Sequence, residues 1–254
     1  MAIRKIIQLT AIASAFCIFG LFGVLFKIVL QPLIWLQQYA EGRLNVRRFA
    51  RRMVTASWRL FARYLSVTGV AQVQWVGKER LGKPGQLVLA NHPSLLDVVF
   101  VLGNMPEANC VVKADLLHNP AMNSQIRACG YLPNRQDLDF ADTVHEVLQN
   151  ECLLIFPEGT RTGWDGEVKF HRGAVALGLR SARVITPVRI EMTPPALKKG
   201  QKWYNLPEKT MCYRIVVGED IHPQSWLAEK PLPIAARRLN SYLHDYFNQR
   251  IENE

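Results

Sequence analysis

The clearest chemical signal in this sequence is a histidine placed five residues before an aspartate, in the run N-H-P-S-L-L-D from Asn91 to Asp97. An imidazole that is oriented by a carboxylate can act as a general base and take the proton from an attacking hydroxyl. The apolar run 86–90 before this motif is typical of a buried strand, and residues 93–102 favour a helix. His92 precedes a proline, which biases its backbone towards an extended turn and leaves its ring free to reach Asp97. An ordinary polar helix start has the same residues, so this stretch alone leaves both interpretations open.

A second polar stretch, F-P-E-G-T-R-T from Phe156 to Thr162, follows another apolar run that is typical of a strand. Gly159 allows the backbone to turn and to approach a ligand closely. The guanidinium of Arg161 offers a planar pair of donors that suits a phosphate. Glu158 can accept a hydrogen bond from a hydroxyl or pair with Arg161, and an isolated E-G-T-R is more often a polar loop with a local ion pair.

Taken together, N-H-x-x-x-x-D and the later F-P-E-G-T-R resemble the glycerolipid acyltransferase family, which contains the 1-acylglycerol-3-phosphate acyltransferases. The resemblance covers about residues 70–220. It implies that His92 is the general base on the acceptor hydroxyl, that Asp97 orients it, and that the E-G-T-R segment binds a glycerol phosphate. We expect substrate contacts from Asn91, Ser94, Arg135, Glu158, Gly159, Thr160 and Arg161.

The sequence indicates the acyl acceptor less clearly than it indicates the acyl-transfer reaction. A family block with a glycine followed by an arginine is matched by 130–135, but it is one residue short and has Asn134 where an acidic residue is common. The leading hypothesis is acyl transfer to lysophosphatidic acid, which gives phosphatidic acid. The alternatives are the same transfer to a different or specialised lipid acceptor or acyl chain, and a non-catalytic module that binds anionic lipid through residues 43–63.

The resemblance implies acyl-CoA or acyl carrier protein thioester as the donor, with no other cofactor. Because the sequence has no G-x-S-x-G, Ser94 is a poor acyl-enzyme nucleophile, and we expect direct attack by the acceptor hydroxyl. N–H groups at the start of the helix after Pro93 are candidate donors to the oxyanion. The histidines lack the spacing of a metal site, so we predict no metal.

The distribution of charge points to a membrane surface. The net charge is +10; residues 1–80 contain 12 Lys and Arg against 2 Asp and Glu, whereas residues 81–254 are neutral. This basic third adjoins an uncharged run, 6–26, that is long enough to span a bilayer core. The basic flank after the run places the main domain on the cytoplasmic side, and we predict the inner membrane of a bacterium. Nucleic acid is not an expected partner.

We expect an α/β fold with a mostly parallel mixed sheet flanked by helices, plus an N-terminal membrane-associated helical segment. The predicted divisions are a membrane segment (1–40), a basic amphipathic helix (41–69) and an acyltransferase domain (70–254). The preferred interpretation of residues 43–65 is a helix that lies in the membrane interface. Its apolar stripe would include Phe49 and Leu60, and its arginines would face the lipid headgroups. The alternative is a helix that packs on the main domain.

Overall fold

The computed structural model describes residues 2–39, 43–134, 139–202, 204–205 and 207–249. Its α-helices are α1 Ala2–Tyr39, α2 Arg43–Val67, α3 Asp97–Leu102, α4 Asn123–Cys129, α5 Phe140–Asn150, α6 Arg172–Ser181, α7 Pro223–Glu229 and α8 Leu232–Asn248. Its strands are β1 Ala71–Val76, β2 Gln86–Ala90, β3 Asn109–Lys113, β4 Leu132–Asn134, β5 Leu153–Ile155, β6 Val184–Thr193 and β7 Met211–Val217.

The strands form one mixed sheet in the order β1-β7-β6-β2-β5-β3-β4. Neighbouring strands are parallel except for β6 and β7, which are antiparallel. The central strand β2 is buried along its whole length, whereas the edge strand β1 alternates between buried and exposed positions. A continuous apolar run suits a strand that is covered on both faces, and the predicted fold class is confirmed.

Two hydrophobic clusters cover the two faces of this sheet. Successive side chains of a strand point to opposite faces, so Val88 and Ala90 join one cluster while Leu87 and Leu89 join the other. The first cluster includes residues of α1, α2, α3 and α4, and the second includes residues of α5, α6 and α8. The N-terminal helices therefore share a core with the α/β domain, while the division into three segments stays a prediction.

Helix α1 contains a segment, Gln8–Val29, that is long and apolar enough to cross a membrane, with a mean hydropathy of 2.3. One side of the segment packs into the first cluster through residues such as Ile12 and Ala15. Its other side leaves large apolar side chains exposed, namely Leu21, Val24, Leu25, Ile28 and Val29.

Helix α2 corrects the preferred interpretation of the basic segment, because it packs on the α/β domain. Phe49 and Leu60, which were expected on its apolar stripe, are exposed. The buried stripe lies beside them on the helix and consists of Ala50, Val54, Trp58 and Leu65. Arg51 is also fully buried, because its guanidinium finds an acceptor in Glu151 at 2.5 Å. The arginines of α2 therefore do not form a single solvent-facing surface.

Candidate active site

The two polar motifs meet at the carboxyl edge of the parallel strands. Strand β2 ends directly before Asn91 and His92, and its neighbour β5 ends directly before Phe156 and the E-G-T-R turn. The backbone N–H of His92 donates to Glu158 Oε1 at 2.7 Å. The N–H of Thr162 in turn donates to the carbonyl of His92 at 2.8 Å, so main chain as well as a side chain joins the two loops. The sheet topology thus brings together motifs that lie some 60 residues apart.

His92 and Asp97 form the hydrogen-bonded pair that their spacing predicts. His92 Nδ1 lies 2.8 Å from Asp97 Oδ2. A carboxylate can only accept, so Nδ1 carries the proton and the lone pair on Nε2 is left to act as the base. Asp97 is fully buried, whereas the imidazole is 20% exposed and packs against the Phe156 ring with 4.5 Å between centroids. Asp97 and Phe156 therefore fix the position of the ring, while its exposed part can be reached by a substrate.

The turn between the two residues differs from the expected helix. The regular helix α3 begins at Asp97 rather than at Pro93, and residues 94–96 form bends. The Asp97 carboxylate itself accounts for the difference, because it accepts the N–H of Ser94 at 2.7 Å and so closes a turn ahead of the helix. This turn brings the His92 ring within reach of Asp97.

A buried chain of hydroxyl groups supports Asp97 from its other side. Ser94 Oγ donates to Asp97 Oδ1 at 2.7 Å, and Ser94 Oγ lies 2.9 Å from Tyr213 Oη. Burial and the nearby charge of Asp97 hold the pKa of Tyr213 well above its ordinary value, so the phenol stays protonated and donates to Ser94. Tyr213 lies on β7, 119 residues from Ser94, and no local motif in the sequence singles it out.

Asn91 and Ser94 have their polar groups engaged within the protein. The Asn91 amide donates to the carbonyl of Ile190 and accepts from its N–H, at 2.8 and 2.7 Å, so it joins the loop after β2 to β6. Both side chains are buried, and we assign them to positioning the pair rather than to contacting substrate. The N–H groups of Ser94 and Leu96 are also engaged, by Asp97 and by Ser94 Oγ, so these two N–H groups are not free to bind an oxyanion.

Glu158 connects the two motifs instead of pairing with Arg161. Its Oε1 accepts from the N–H of His92 and, at 2.9 Å, from the hydroxyl of Thr162. Burial raises the pKa of Glu158 above its ordinary value, although these two hydrogen bonds oppose the shift. Within the described ranges, no ion pair joins Glu158 to Arg161.

Arg161 is half-buried and lies near the catalytic pair. Its Nη1 donates to the carbonyl of Leu197 at 2.7 Å, and burial lowers its pKa while the negative charge of Asp97 opposes that shift. Among the residues that the structure describes, no carboxylate forms an ion pair with Arg161, so its charge is available to an anionic ligand. Arg135, another expected substrate contact, lies outside the described residues.

Gly159 and Thr160 lie in an open part of the E-G-T-R turn. Gly159 adopts a φ of 65°, which favours glycine, and both residues are exposed. They line a groove of about 590 Å³ together with Asn134, Glu158 and His171. An acceptor headgroup can therefore approach this turn from solvent. In the same described part of the chain, no group of three or more His, Cys, Asp or Glu side chains could hold a metal ion.

Comparisons with known proteins find similarity to acyltransferases. Residues 72–191 match the model of the acyltransferase family. The chain is 30% identical over 203 residues to the 1-acyl-sn-glycerol-3-phosphate acyltransferase of Saccharomyces cerevisiae, which covers 75% of this chain and 60% of that protein. It is 28% identical over 161 residues to the protein of the same name from Pseudomonas aeruginosa, covering 60% of each. The matched part thus spans about three fifths of the length of these relatives.

A solved structure shares the whole fold. The 1-acyl-sn-glycerophosphate acyltransferase PlsC from Thermotoga maritima superposes with a TM-score of 0.72 at 20% identity, over 98% of this chain and 100% of that one. The matched family segment contains both polar motifs, with His92 and Asp97 in hydrogen-bond contact. Residues 72–191 belong to the acyltransferase family, and the chain is similar to proteins named 1-acyl-sn-glycerol-3-phosphate acyltransferases.

Proposed function

We propose that this protein transfers a fatty acyl group from an acyl thioester to the free hydroxyl of 1-acylglycerol-3-phosphate, and so forms phosphatidic acid. The observation that carries the proposal is the His92–Asp97 pair, which lies at one sheet edge with Arg161, whose charge is not neutralised by an ion pair in the described structure. A base beside a phosphate-binding cation suits an acceptor that has a hydroxyl and a phosphate on one small backbone. The names of the relatives support the same acceptor.

In the proposed reaction His92 Nε2 takes the proton from the acceptor hydroxyl as its oxygen attacks the thioester carbonyl. The C–S bond then breaks, and the imidazolium returns its proton to the departing thiolate. Asp97 stabilises the imidazolium while it exists and keeps Nδ1 protonated. No acyl-enzyme forms, because the Ser94 hydroxyl is buried and already donates to Asp97.

Arg161 holds the acceptor phosphate in this proposal, and Gly159 and Thr160 leave space for the glycerol backbone. Arg135 is the second proposed phosphate ligand, on the strength of the family resemblance. The apolar side of α1 that faces away from the domain associates with the membrane, where both the acceptor and the product dissolve. The α/β domain lies on the cytoplasmic side, as the basic residues after α1 favour.

The test is to identify the product. Purified enzyme in detergent micelles receives palmitoyl-CoA and one acceptor from a panel of lysophosphatidic acid, lysophosphatidylglycerol and lysophosphatidylcholine, and mass spectrometry identifies the lipid formed. We expect phosphatidic acid to form fastest. A faster reaction with another lysophospholipid would replace the proposed acceptor and keep the chemistry.

Arg161 variants test the phosphate contact within the same assay. Arg161→Ala should raise the KM for lysophosphatidic acid about 10- to 100-fold, because a charge-assisted contact to the phosphate is lost. The matched control is Arg180→Ala, since Arg180 is an exposed arginine that pairs with Asp142. An unchanged acceptor KM in Arg161→Ala would exclude the assigned role.

A further inference from the structure

A second groove, of about 520 Å³, opens beside the catalytic loop. Its lining includes Asn91, Pro93 and Thr162, which are close neighbours of His92 in the chain or in the hydrogen-bond network. Lys198 and Trp164 line it further out. None of the steps proposed above uses this groove, although it lies next to the reacting centre.

Lys198 is the unusual residue in the groove. Its side chain is only 6% exposed, and its Nζ donates to the carbonyl of Gly163 at 2.5 Å. Within the described part of the chain no carboxylate pairs with it. An ammonium group can donate three hydrogen bonds, and a buried cation without a counter-charge is costly, so this position suits an anionic ligand.

The other charged side chains of the groove are arranged differently. Arg189 pairs with Glu191 at 2.9 Å, and Glu167 pairs with Lys169 at 2.8 Å. Asp165 is exposed to solvent. Lys198 is thus the lining cation, among the described residues, whose charge is not already neutralised by an ion pair.

An aromatic surface lies beside this cation. The Trp164 indole is 65% exposed, and the Lys198 ammonium lies 5.6 Å from its ring centroid. A large exposed indole at the rim of a groove can stack on a planar base. Exposed Lys199 and Lys202 follow in the same loop and extend the positive charge outward. A buried cation, a stacking ring and further lysines are the groups that bind a nucleotide with several phosphates.

The same loop also contacts the phosphate-binding side of the active site. The carbonyl of Leu197 accepts from Arg161, and the next residue, Lys198, donates to Gly163. Leu197 holds a φ of 53°, which is unfavourable for a leucine, so the fold fixes this part of the loop against a local preference. Adjacent residues of one loop therefore serve both places, since Leu197 contacts Arg161 and Lys198 lines the groove.

We propose that this groove binds the nucleotide end of a coenzyme A thioester. Lys198 contacts the diphosphate, Trp164 stacks on the adenine, and the pantetheine arm runs past Pro93 to bring the thioester to His92. This assignment rests on the proposed acyl transfer for its purpose, and it selects CoA over carrier protein as the source of the acyl group.

Two donors that share the acyl chain and pantetheine arm test the assignment. Palmitoyl-CoA has the nucleotide, and palmitoyl-pantetheine lacks it. Lys198→Met should raise the KM for palmitoyl-CoA about 10- to 100-fold with little change in kcat, and leave the kinetics with palmitoyl-pantetheine unchanged. Trp164→Ala should act in the same direction. Lys198→Arg, which keeps the charge, should recover most of the affinity, and Lys230→Met is the matched control, because Lys230 is exposed and does not line the groove.

Equal losses with both donors would give Lys198 a purely structural role and overturn the assignment. Unchanged kinetics with palmitoyl-CoA would overturn it as well. A third refuting result is activity with acyl carrier protein thioester in an enzyme that does not use palmitoyl-CoA.

Binding of free CoA separates this inference from the proposed function. Calorimetry on the full chain in detergent, without acceptor, should show CoA binding that Lys198→Met weakens by the same factor. If CoA binds in this way but no phosphatidic acid forms, the acceptor assignment fails and the groove assignment stands. If phosphatidic acid forms and Lys198→Met changes neither CoA binding nor the KM for palmitoyl-CoA, the groove assignment fails alone.

Discussion

The buried ion pair between Arg51 and Glu151 gives the sharpest prediction about stability. It joins helix α2 to the α/β domain, where Arg51 Nε donates to the carbonyl of Cys129 and Nη1 donates to the carbonyl of Glu107. Glu151 is itself only 7% exposed and also accepts from Asn109. The perturbation is Arg51→Met, which keeps an unbranched apolar side chain and removes the charge.

The expected cost follows from these contacts. Without Arg51, the carboxylate of Glu151 stays buried and keeps, among the described residues, a single long hydrogen bond, 3.2 Å from Asn109, while two carbonyls lose a donor. Removing one partner of a buried pair costs about 3–5 kcal/mol. For a chain of this size each kcal/mol lowers Tm by roughly 2–4 °C, so Tm should fall by about 6–20 °C.

Thermal unfolding in one detergent at one scan rate measures this fall. The control is Arg52→Met, because Arg52 pairs with Glu107 at the surface and an exposed pair contributes only ~0–1 kcal/mol. The double variant with Glu151→Met should recover part of the loss, since no unpaired charge remains buried. A Tm for Arg51→Met equal to that of Arg52→Met would show that the Arg51–Glu151 pair does not stabilise the fold. It would then favour the interpretation that α2 lies in the membrane interface.

Three further predictions concern the site and the thiols. Tyr213→Phe removes the donor to Ser94 and should lower kcat about 2- to 10-fold with an unchanged acceptor KM, because the buried phenol acts on Asp97 through Ser94 and does not bind the acceptor; a raised KM would contradict this. Burial raises the pKa of Glu158, so the unfolded chain releases this proton at lower pH than the folded protein. The contribution of Glu158 to stability therefore falls as pH rises from the ordinary value of 4.5. The Tm of Glu158→Gln minus that of wild type should therefore grow between pH 4 and pH 7, and a constant difference would refute the shift. At pH 8 a disulfide reagent should react with exposed Cys212 and leave three buried thiols intact, since burial raises the pKa of each to about 12, namely Cys110, Cys129 and Cys152.

The features that the sequence predicts well are local. The strand 86–90 has the predicted bounds, because an uninterrupted apolar run suits a buried strand. The contact between His92 and Asp97 also depends on a short segment, which a proline and a carboxylate shape. His92 lies close to Glu158 because the parallel strands β2 and β5 end at the same edge of the sheet.

The features that the sequence misses depend on distant partners. The buried side of a helix can be shifted by one residue without changing the spacing of its apolar residues. In α2 the buried residue is Ala50, whereas Phe49 was expected. Arg51 points inward only because Glu151, 100 residues later, is there to pair with it. Lys198 and Tyr213 gain their roles in the same way, from the contacts that the folded loop and strand make.

The central claim is that His92 is the base for direct attack by the acceptor hydroxyl. The most direct measurement is acceptor-dependent release of CoA from palmitoyl-CoA by wild type and by His92→Ala, at matched concentrations in the same micelles. Loss of the base should lower kcat about 10²- to 10⁴-fold while the variant keeps the wild-type Tm within a few degrees. Equal rates of CoA release in the two proteins would contradict the account.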